Sequence, residues 1–342
     1  MNILNLTKDE LAGFLTAEGE PKYRVSQIFS WLHQGVDFHD MTDISKKTRA
    51  MLSGKCYIDI PVIAEKYVSA ADGTVKYLFR LRDGEYIESV FMRYSHGNSL
   101  CLSTQAGCRM GCKFCASTLN GLSRNLEPSE MLGQIIAAQK DIGERVSGLV
   151  LMGIGEPLDN YHNVIKFLRI VNEEGGLNIG YRHISLSTCG IVDKIGKLAN
   201  EDMPITLSVS LHAVTDTERS AVMPVNNKWS IRELLQACAN YFKQTGRRIS
   251  FEYALIADVN DTSRHADKLA ELLNEALPGI PFHVNIIPVN EVAERPFKRG
   301  NVPSVHNFTN RLKANKINVT VRRRLGADIN ASCGQLRVKK IK

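Results

Sequence analysis

The chain has 342 residues, with 43 Lys and Arg against 36 Asp and Glu, a net charge of +7. That length predicts one large domain with a smaller appendage, and the 44% apolar content is enough for a sizeable core. No apolar run approaches the roughly 18 residues of a membrane-spanning helix, and the basic excess is compatible with a polyanionic partner without requiring one. The N-terminus, Met1-Asn2-Ile3-Leu4-Asn5-Leu6, carries neither a basic region nor a signal-like stretch. A cytoplasmic protein is therefore expected, in which a cysteine motif reads as metal-binding or catalytic before it reads as a disulfide.

Residues 1–55 read as short amphipathic helices. Thr7-Lys8-Asp9-Glu10 opens the first, with Leu11, Phe14 and Leu15 at helical spacing. Val25, Ile28, Phe29 and Leu32 form a second stripe, with Lys22, Arg24, Lys46, Lys47 and Arg49 nearby. This basic face is either ordinary solvated surface or an RNA-docking module. Over 56–95 the period becomes two: Val75, Tyr77, Phe79 and Leu81 alternate with polar residues, Asp83-Gly84 marks a turn, and Tyr86 to Met92 follow. A β-hairpin linker is predicted there.

From residue 99 the pattern alternates. Strand-like runs at 99–104, 147–152, 183–188, 205–211, 248–255 and 283–288 are separated by helical segments near 129–142, 160–172, 191–200, 231–244, 264–276 and 303–315. Thr215-x-x-Glu218 and Ser230-x-x-Glu233 have capping-box spacing. A last run, Ile317 to Val321, precedes the C-terminal tail. Six βα units predict a parallel α/β architecture over 96–342. They are too few for a closed eight-unit barrel, so an open, partial (β/α)6 barrel is expected.

The chemistry concentrates after the first of these runs, where Cys108, Cys112 and Cys115 stand at C-x3-C-x2-C. Three thiols with no fourth one nearby suit a [4Fe-4S] cluster with one iron left open. A structural zinc site is closed by four ligands, and the next candidate, His162, lies far outside zinc-finger spacing. Further candidates fall at strand ends: Gly155 and Glu156 in Gly153-Ile154-Gly155-Glu156-Pro157, then Ser187, then Ser210, Leu211 and His212, then Asn290. Each alone reads as a cap or a core polar group. Together, at successive strand ends, they converge on one pocket. Cys56, Cys189 and Cys238 read as small buried hydrophobes. Cys333, in a Ser-Cys-Gly setting after Arg322-Arg323-Arg324, suggests a mobile loop beside a phosphate-binding patch.

The cysteine spacing after a strand resembles the radical S-adenosylmethionine (SAM) superfamily. The resemblance narrows with five segments in order: Cys101 to Cys108, Met152 to Pro157, Ser210-Leu211-His212, Met223-Pro224-Val225-Asn226, and Ala331 to Leu336. Over essentially the whole chain this is similar to the RlmN/Cfr family of radical SAM RNA adenine methyltransferases. The resemblance implies one [4Fe-4S] cluster on Cys108, Cys112 and Cys115, and two SAM molecules per turnover. Gly155, Glu156, Ser187, Ser210, Leu211, His212 and Asn290 would bind SAM. Cys333 would carry an S-methyl group, Cys101 would resolve the RNA adduct through a transient disulfide with Cys333, and Glu88 would accept a proton. Glu88 on its own reads as an exposed strand carboxylate. Pro157 and Ala106 resemble the enzymes that methylate C2 of an adenosine in the peptidyl-transferase region of 23S rRNA, many of which also modify the adenosine 3′ of the anticodon in tRNA. An external one-electron donor of flavodoxin or ferredoxin type is implied as well, and no membrane. The alternatives are a C8-specific resistance enzyme, a radical SAM enzyme with a small-molecule substrate, and a non-catalytic RNA-binding protein with a structural metal.

Overall fold

The computed structural model describes residues 1–336; residues 337–342, at the end of the expected core segment, lie outside the described residues. The chain opens with three helices, α1 (Lys8–Ala17), α2 (Tyr23–His33) and α3 (Lys46–Lys55). The predicted start at Thr7 is a complete capping box. The Glu10 N–H donates to Thr7 Oγ1 at 3.2 Å and the Thr7 N–H to Glu10 Oε2 at 2.8 Å. Val25, Ile28, Phe29 and Leu32 are buried and share one continuous core with the rest of the molecule. Of the basic residues, Arg24 and Arg49 donate to the Asp43 and His39 carbonyls, while Lys22, Lys46 and Lys47 are exposed.

Strands β1 (Val62–Val68), β2 (Val75–Arg80), β3 (Tyr86–Tyr94) and β4 (Gly97–Cys101) form an antiparallel meander. The predicted hairpin is its β2–β3 pair. A two-residue period leaves one face of such a pair to solvent, yet Lys76 and Leu78 are buried along with Tyr77 and Phe79. One face packs on the core, where the Tyr77 hydroxyl donates to Asp141 at 2.6 Å. The other lines a cleft walled in part by the C-terminal tail, which is tied to the β1–β2 turn. Asp328 accepts from Ser69 Oγ (2.7 Å) and the Ala70 N–H (2.9 Å), and Asp72 accepts from the Gly326 N–H.

A short hairpin, β5 (Gln105–Gly107) with β6 (Leu122–Asn125), follows β4. The chain then runs α4 (Pro128–Ile142), β7 (Gly148–Leu151), α5 (Tyr161–Asn172), β8 (Ile184–Thr188), α6 (Val192–Leu198), β9 (Thr206–Ser210), α7 (Asp216–Val222), α8 (Ile231–Thr245), β10 (Ile249–Leu255), α9 (Ser263–Ala276), β11 (Phe282–Pro288), α10 (Val302–Ala314) and β12 (Val319–Val321). One sheet holds the order β1-β2-β3-β4-β7-β8-β9-β10-β11-β12, with every pairing from β4 to β12 parallel. The expected six βα units are therefore present, and β12 adds a seventh parallel strand at the open edge. The meander continues the same sheet, because β4 pairs with β3 on one side and β7 on the other.

Helix α7 lies outside the predicted helical segments, although its Thr215-x-x-Glu218 spacing marks its start. Only half of that box forms: Thr215 Oγ1 caps the Glu218 N–H, and Glu218 accepts from Val214 instead of Thr215. The Ser230–Glu233 box at α8 is complete.

Candidate active site

The thiol loop hangs from the β5–β6 hairpin. Cys108 N–H donates to the Gly121 carbonyl at 2.8 Å. At Gly107 (φ +78°) a Cβ would fall 2.0 Å from that same carbonyl oxygen, so only glycine lets the two chains close here. Thr118 Oγ1 donates to the Cys112 and Cys115 carbonyls, and Arg295 in turn donates to Thr118 Oγ1 at 2.9 Å. Arg109, inside the motif, forms a bidentate pair with Asp159 at 2.5 and 3.0 Å. That pair ties the thiol loop to the Gly155-Glu156 turn.

One cavity at the C-terminal ends of the parallel strands is lined by Cys108, Cys112, Cys115, Gly155, Glu156, Ser187, Ser210, His212, Asn290 and Cys333. The structure thus brings ten of the thirteen sequence-derived candidates together. Leu211 does not line it: its side chain is in the core, its N–H donates to the Glu252 carbonyl, and its own carbonyl accepts from Arg219. Cys101 sits beyond Cys333 in an adjoining cavity of about 50 Å³, shared with Met152 and Arg322. Glu88 lies in a separate cleft of about 1050 Å³ with Lys76, Arg295, Phe297 and Gln335. It is not the exposed carboxylate that its strand position suggests. It is 5% exposed, with Lys76 Nζ at 3.2 Å.

The tail expected to be mobile is pinned. The Ala116 N–H donates to the Gly334 carbonyl, Ser117 Oγ to Leu336, Ser332 Oγ to Leu325, and Asn290 Nδ2 to the Cys333 carbonyl at 3.0 Å. Ala331 and Leu336, on either side of Cys333, pack with Val90, Met92, Cys101 and Ile154 in a second small core. This cluster sets Cys333 between the thiol loop and Cys101. None of the eight cysteines is in a disulfide. Cys56, Cys189 and Cys238 are buried as expected, but Cys189 also lines the main cavity, and its N–H donates to Glu156 at 2.7 Å.

The cavity is electrostatically unusual. Burial pushes Cys108 up to about 12 and raises Cys112 and Cys115; Cys115 adds to the shift of the other two, Cys108 to that of Cys112, and Cys333 to that of Cys115. Metal binding reverses that logic, because a coordinated thiol is deprotonated. Burial also raises Glu156, whose two oxygens accept from the Cys189 and Leu158 N–H groups. His212 is held down to about 3 by burial and by Arg219, so it is neutral. Its Nδ1 accepts from the Ala254 N–H at 2.8 Å, and its ring stands edge-on to Phe114.

The donor set fits a multi-iron cluster with SAM. Among the described residues no three His, Cys, Asp or Glu side chains converge on a point for a single ion, whereas in a cubane each thiolate binds its own iron around a shared core. The Asn290 Oδ1 is buried without a partner beside this cavity. An orphaned acceptor of that kind suits a donor on a bound cofactor.

Three charged residues were missed or misassigned from sequence. Arg219 is fully buried and donates to the Cys189, Ser210 and Leu211 carbonyls and to Asn226. It braces the ends of β8 and β9, which explains the Met223-Pro224-Val225-Asn226 segment as its latch. Glu252, 3% exposed, lines the cavity from β10; a carboxylate inside the apolar run Phe251-Glu252-Tyr253 was a readable signal. Arg322, expected on a phosphate-binding surface with Arg323 and Arg324, turns inward, with Nη1 3.7 Å from Glu252 and 3.0 Å from Met152 Sδ.

Residues 1–58 match the ribosomal RNA large subunit methyltransferase N-terminal domain, and residues 102–276 match the radical SAM superfamily. The chain is 51% identical over 338 residues to the probable dual-specificity RNA methyltransferase RlmN of Clostridium novyi (strain NT), spanning 98% of this chain and 97% of that one. It is 53% identical over 342 residues to the protein of the same name from Clostridium botulinum (strain Eklund 17B / Type B), spanning 100% and 97%. Among solved structures, a radical SAM methyltransferase from Sphaerobacter thermophilus superposes with a TM-score of 0.93 at 42% identity, covering 98% of this chain and 99% of that one. With its thiol loop, strand-end cavity and full-length relatives, the chain belongs to the RlmN family of radical SAM RNA methyltransferases.

Proposed function

We propose that the protein places a methyl group on C2 of an adenosine in 23S rRNA, and of the adenosine 3′ of the anticodon in tRNA, through an S-methylcysteine on Cys333. The observation that carries this reading is the placement of Cys333 between two cavities, the strand-end cavity on one side and Cys101 on the other. Cys108, Cys112 and Cys115 would hold the cluster; Gly155, Glu156, Ser187, Ser210, His212 and Asn290 would hold SAM. When bound, these groups supply the radical that takes a hydrogen atom from a methyl group.

The chain's own residues divide the remaining work. Cys333 accepts the methyl from one SAM by displacement, so a second SAM is needed for the radical step. Its S–CH2 radical adds to the ring carbon and joins protein to RNA. The separate cleft supports an adenosine entry route: of the carboxylates lining it, Glu65, Glu88, Glu291 and Asp328, we assign Glu88, paired with Lys76, as proton acceptor for the ring hydrogen. Loss of the ring hydrogen as a proton leaves one electron on the adduct, which passes to an external electron carrier and gives the closed-shell thioether. Cys101 then forms a disulfide with Cys333 to release the product. A two-electron thiol reductant returns the disulfide to two thiols, and an external one-electron donor starts the next cycle.

The test is an anaerobic reaction of reconstituted protein, SAM, a reductant and protein-free large-subunit RNA, read by nucleoside mass spectrometry. 2-Methyladenosine is expected, absent with Cys333→Ala and replaced by an RNA–protein adduct with Cys101→Ala. An 8-methyladenosine peak would overturn the C2 assignment. Turnover by Cys333→Ala would overturn the two-cysteine mechanism.

A further inference from the structure

The cavity shared by Cys101 and Cys333 has a guanidinium built into its wall. Arg322 follows β12, whose pairing with β11 ends in a hydrogen bond from the Arg322 N–H to Ile286 at 2.8 Å. Its side chain is 25% exposed, while those of Arg323 and Arg324 are exposed at the rim. Nη1 is fixed by Met152 Sδ and by Glu252. Glu252 is itself held by Asn285 Nδ2 at 2.8 Å. Burial raises the Glu252 carboxyl and the nearby Arg322 opposes that shift, so the two groups are electrostatically coupled.

The cavity around Cys101 takes Tyr94 from β3, Cys333 from the tail and Arg322 from the end of β12, with Arg323, Arg324 and, from the segment after β11, Arg299 at its rim; Val150 of β7 and Met152 just after it carry no charge. Burial and the Cys333 thiol push Cys101 up to about 12, and Arg322 is the cation that opposes them. Such a thiol is a poor nucleophile near neutral pH, because the thiolate is the attacking species.

We propose that Arg322 is the electrostatic partner that lets Cys101 act as a thiolate when it resolves the Cys333 adduct. The inference rests on the two-cysteine reading above. The step starts from the thioether in which Cys333 Sγ carries the CH2 group bound to the adenine ring. Cys101 S⁻ attacks Cys333 Sγ, the S–S bond forms and the S–CH2 bond breaks. The electron pair stays on the CH2 carbon, conjugated with the ring, and a proton from solvent completes the methyl group. The two sulfurs are oxidised to a disulfide and the carbon is reduced, so no outside oxidant enters. Arg322, in the wall of the cavity that holds both sulfurs, stabilises the anion before attack, and Glu252 lies beside its guanidinium.

The test follows the RNA–protein adduct on denaturing gels in single-turnover reactions of the holoenzyme between about pH 7 and 9. Losing a close cation shifts a thiol by about 1–2 pH units, so Arg322→Met is expected to slow adduct resolution about 10- to 100-fold at pH 7.5 and to recover as pH rises. Arg322→Lys, which keeps the charge, is expected to stay within several-fold of the parent. A second readout does not depend on catalysis. The pH profile of Cys101 alkylation by iodoacetamide, read by peptide mass spectrometry under anaerobic conditions, is expected to move upward by the same amount in Arg322→Met. Adduct clearance at the parent rate, or an unmoved alkylation profile, overturns the role of Arg322. If Cys101→Ala itself accumulates no adduct, the two-cysteine reading fails instead, and the alkylation profile still decides what Arg322 does to the thiol.

Discussion

At the scale of single residues, this molecule buries several groups that water would prefer to keep, His33, His212 and Arg219 among them. His33, in α2, is 5% exposed, its Nδ1–H donates to the Phe29 carbonyl at 2.8 Å, and its ring lies 4.1 Å from that of Phe29. Burial holds it down to about 4, with the Phe29 carbonyl opposing. In the unfolded chain it titrates near about 6.5. The folded value is the lower one, so the unfolded chain takes the proton first as pH falls. Stability is therefore full above about pH 7 and is lost between about pH 6.5 and 4, by about 2 kcal/mol at pH 5 from this residue alone. His212 acts in the same direction. His33→Gln is expected to flatten the difference between urea melts at pH 7.5 and 5 by about that amount; an unchanged difference would place the titration elsewhere. Arg219 shows the opposite solution, a buried cation satisfied entirely by carbonyls and an amide, which makes it a brace and not a ligand.

At the scale of elements, the thiol loop depends on the geometry of a three-residue strand. Gly107 sits at φ +78° with the Gly121 carbonyl where a Cβ would go, and the next residue is the first thiol. Gly107→Ala has both a left-handed backbone conformation and a backbone collision to relieve, so β5 and β6 must separate. The strain at φ > 0 alone costs about 1 kcal/mol; the collision adds to it. The expected outcome is a folded protein that takes up less than about half the parent's iron on reconstitution, measured by iron content and visible absorbance. Full iron loading would show that the hairpin does not position the thiols. The tail is the second such element. Its hydrogen bonds to Ala116 and Ser117 join it to the thiol loop itself, so the position of Cys333 is tied to that of Cys115.

At the scale of the whole molecule, charge is sorted by depth. Arg322 points inward, whereas Arg299, Arg323 and Arg324 line the rim of the Cys101–Cys333 cavity and have no carboxylate salt-bridge partner among the described residues. An RNA backbone held at this rim releases counterions as it binds. Arg323→Ala with Arg324→Ala is therefore expected to reduce the slope of log K against log salt by about 0.7 for each phosphate that is no longer neutralised. The same substitutions are expected to leave SAM binding unchanged. Filter binding at several salt concentrations gives the slope, and an unaltered slope would place the RNA elsewhere on the surface.

Much of the architecture and most of the candidate site were legible before any tertiary structure. Hydrophobic periodicity depends on a strand or helix having one buried face, so the six βα units could be read within a few residues of their ends. The thiols, the Gly-Glu turn and the strand-end polar residues were legible because their chemistry needs fixed residue types at fixed topological positions. What the sequence left open came from long-range packing. The second buried face of β2, the burial of Glu88 and the closure of the tail over Val90 and Met92 all depend on a segment more than two hundred residues away in the chain. The direction of Arg322 was decided the same way. Three consecutive arginines look alike in sequence, but after a β-strand their side chains leave in different directions, and only the position of Glu252 on β10 made the first of them an interior residue.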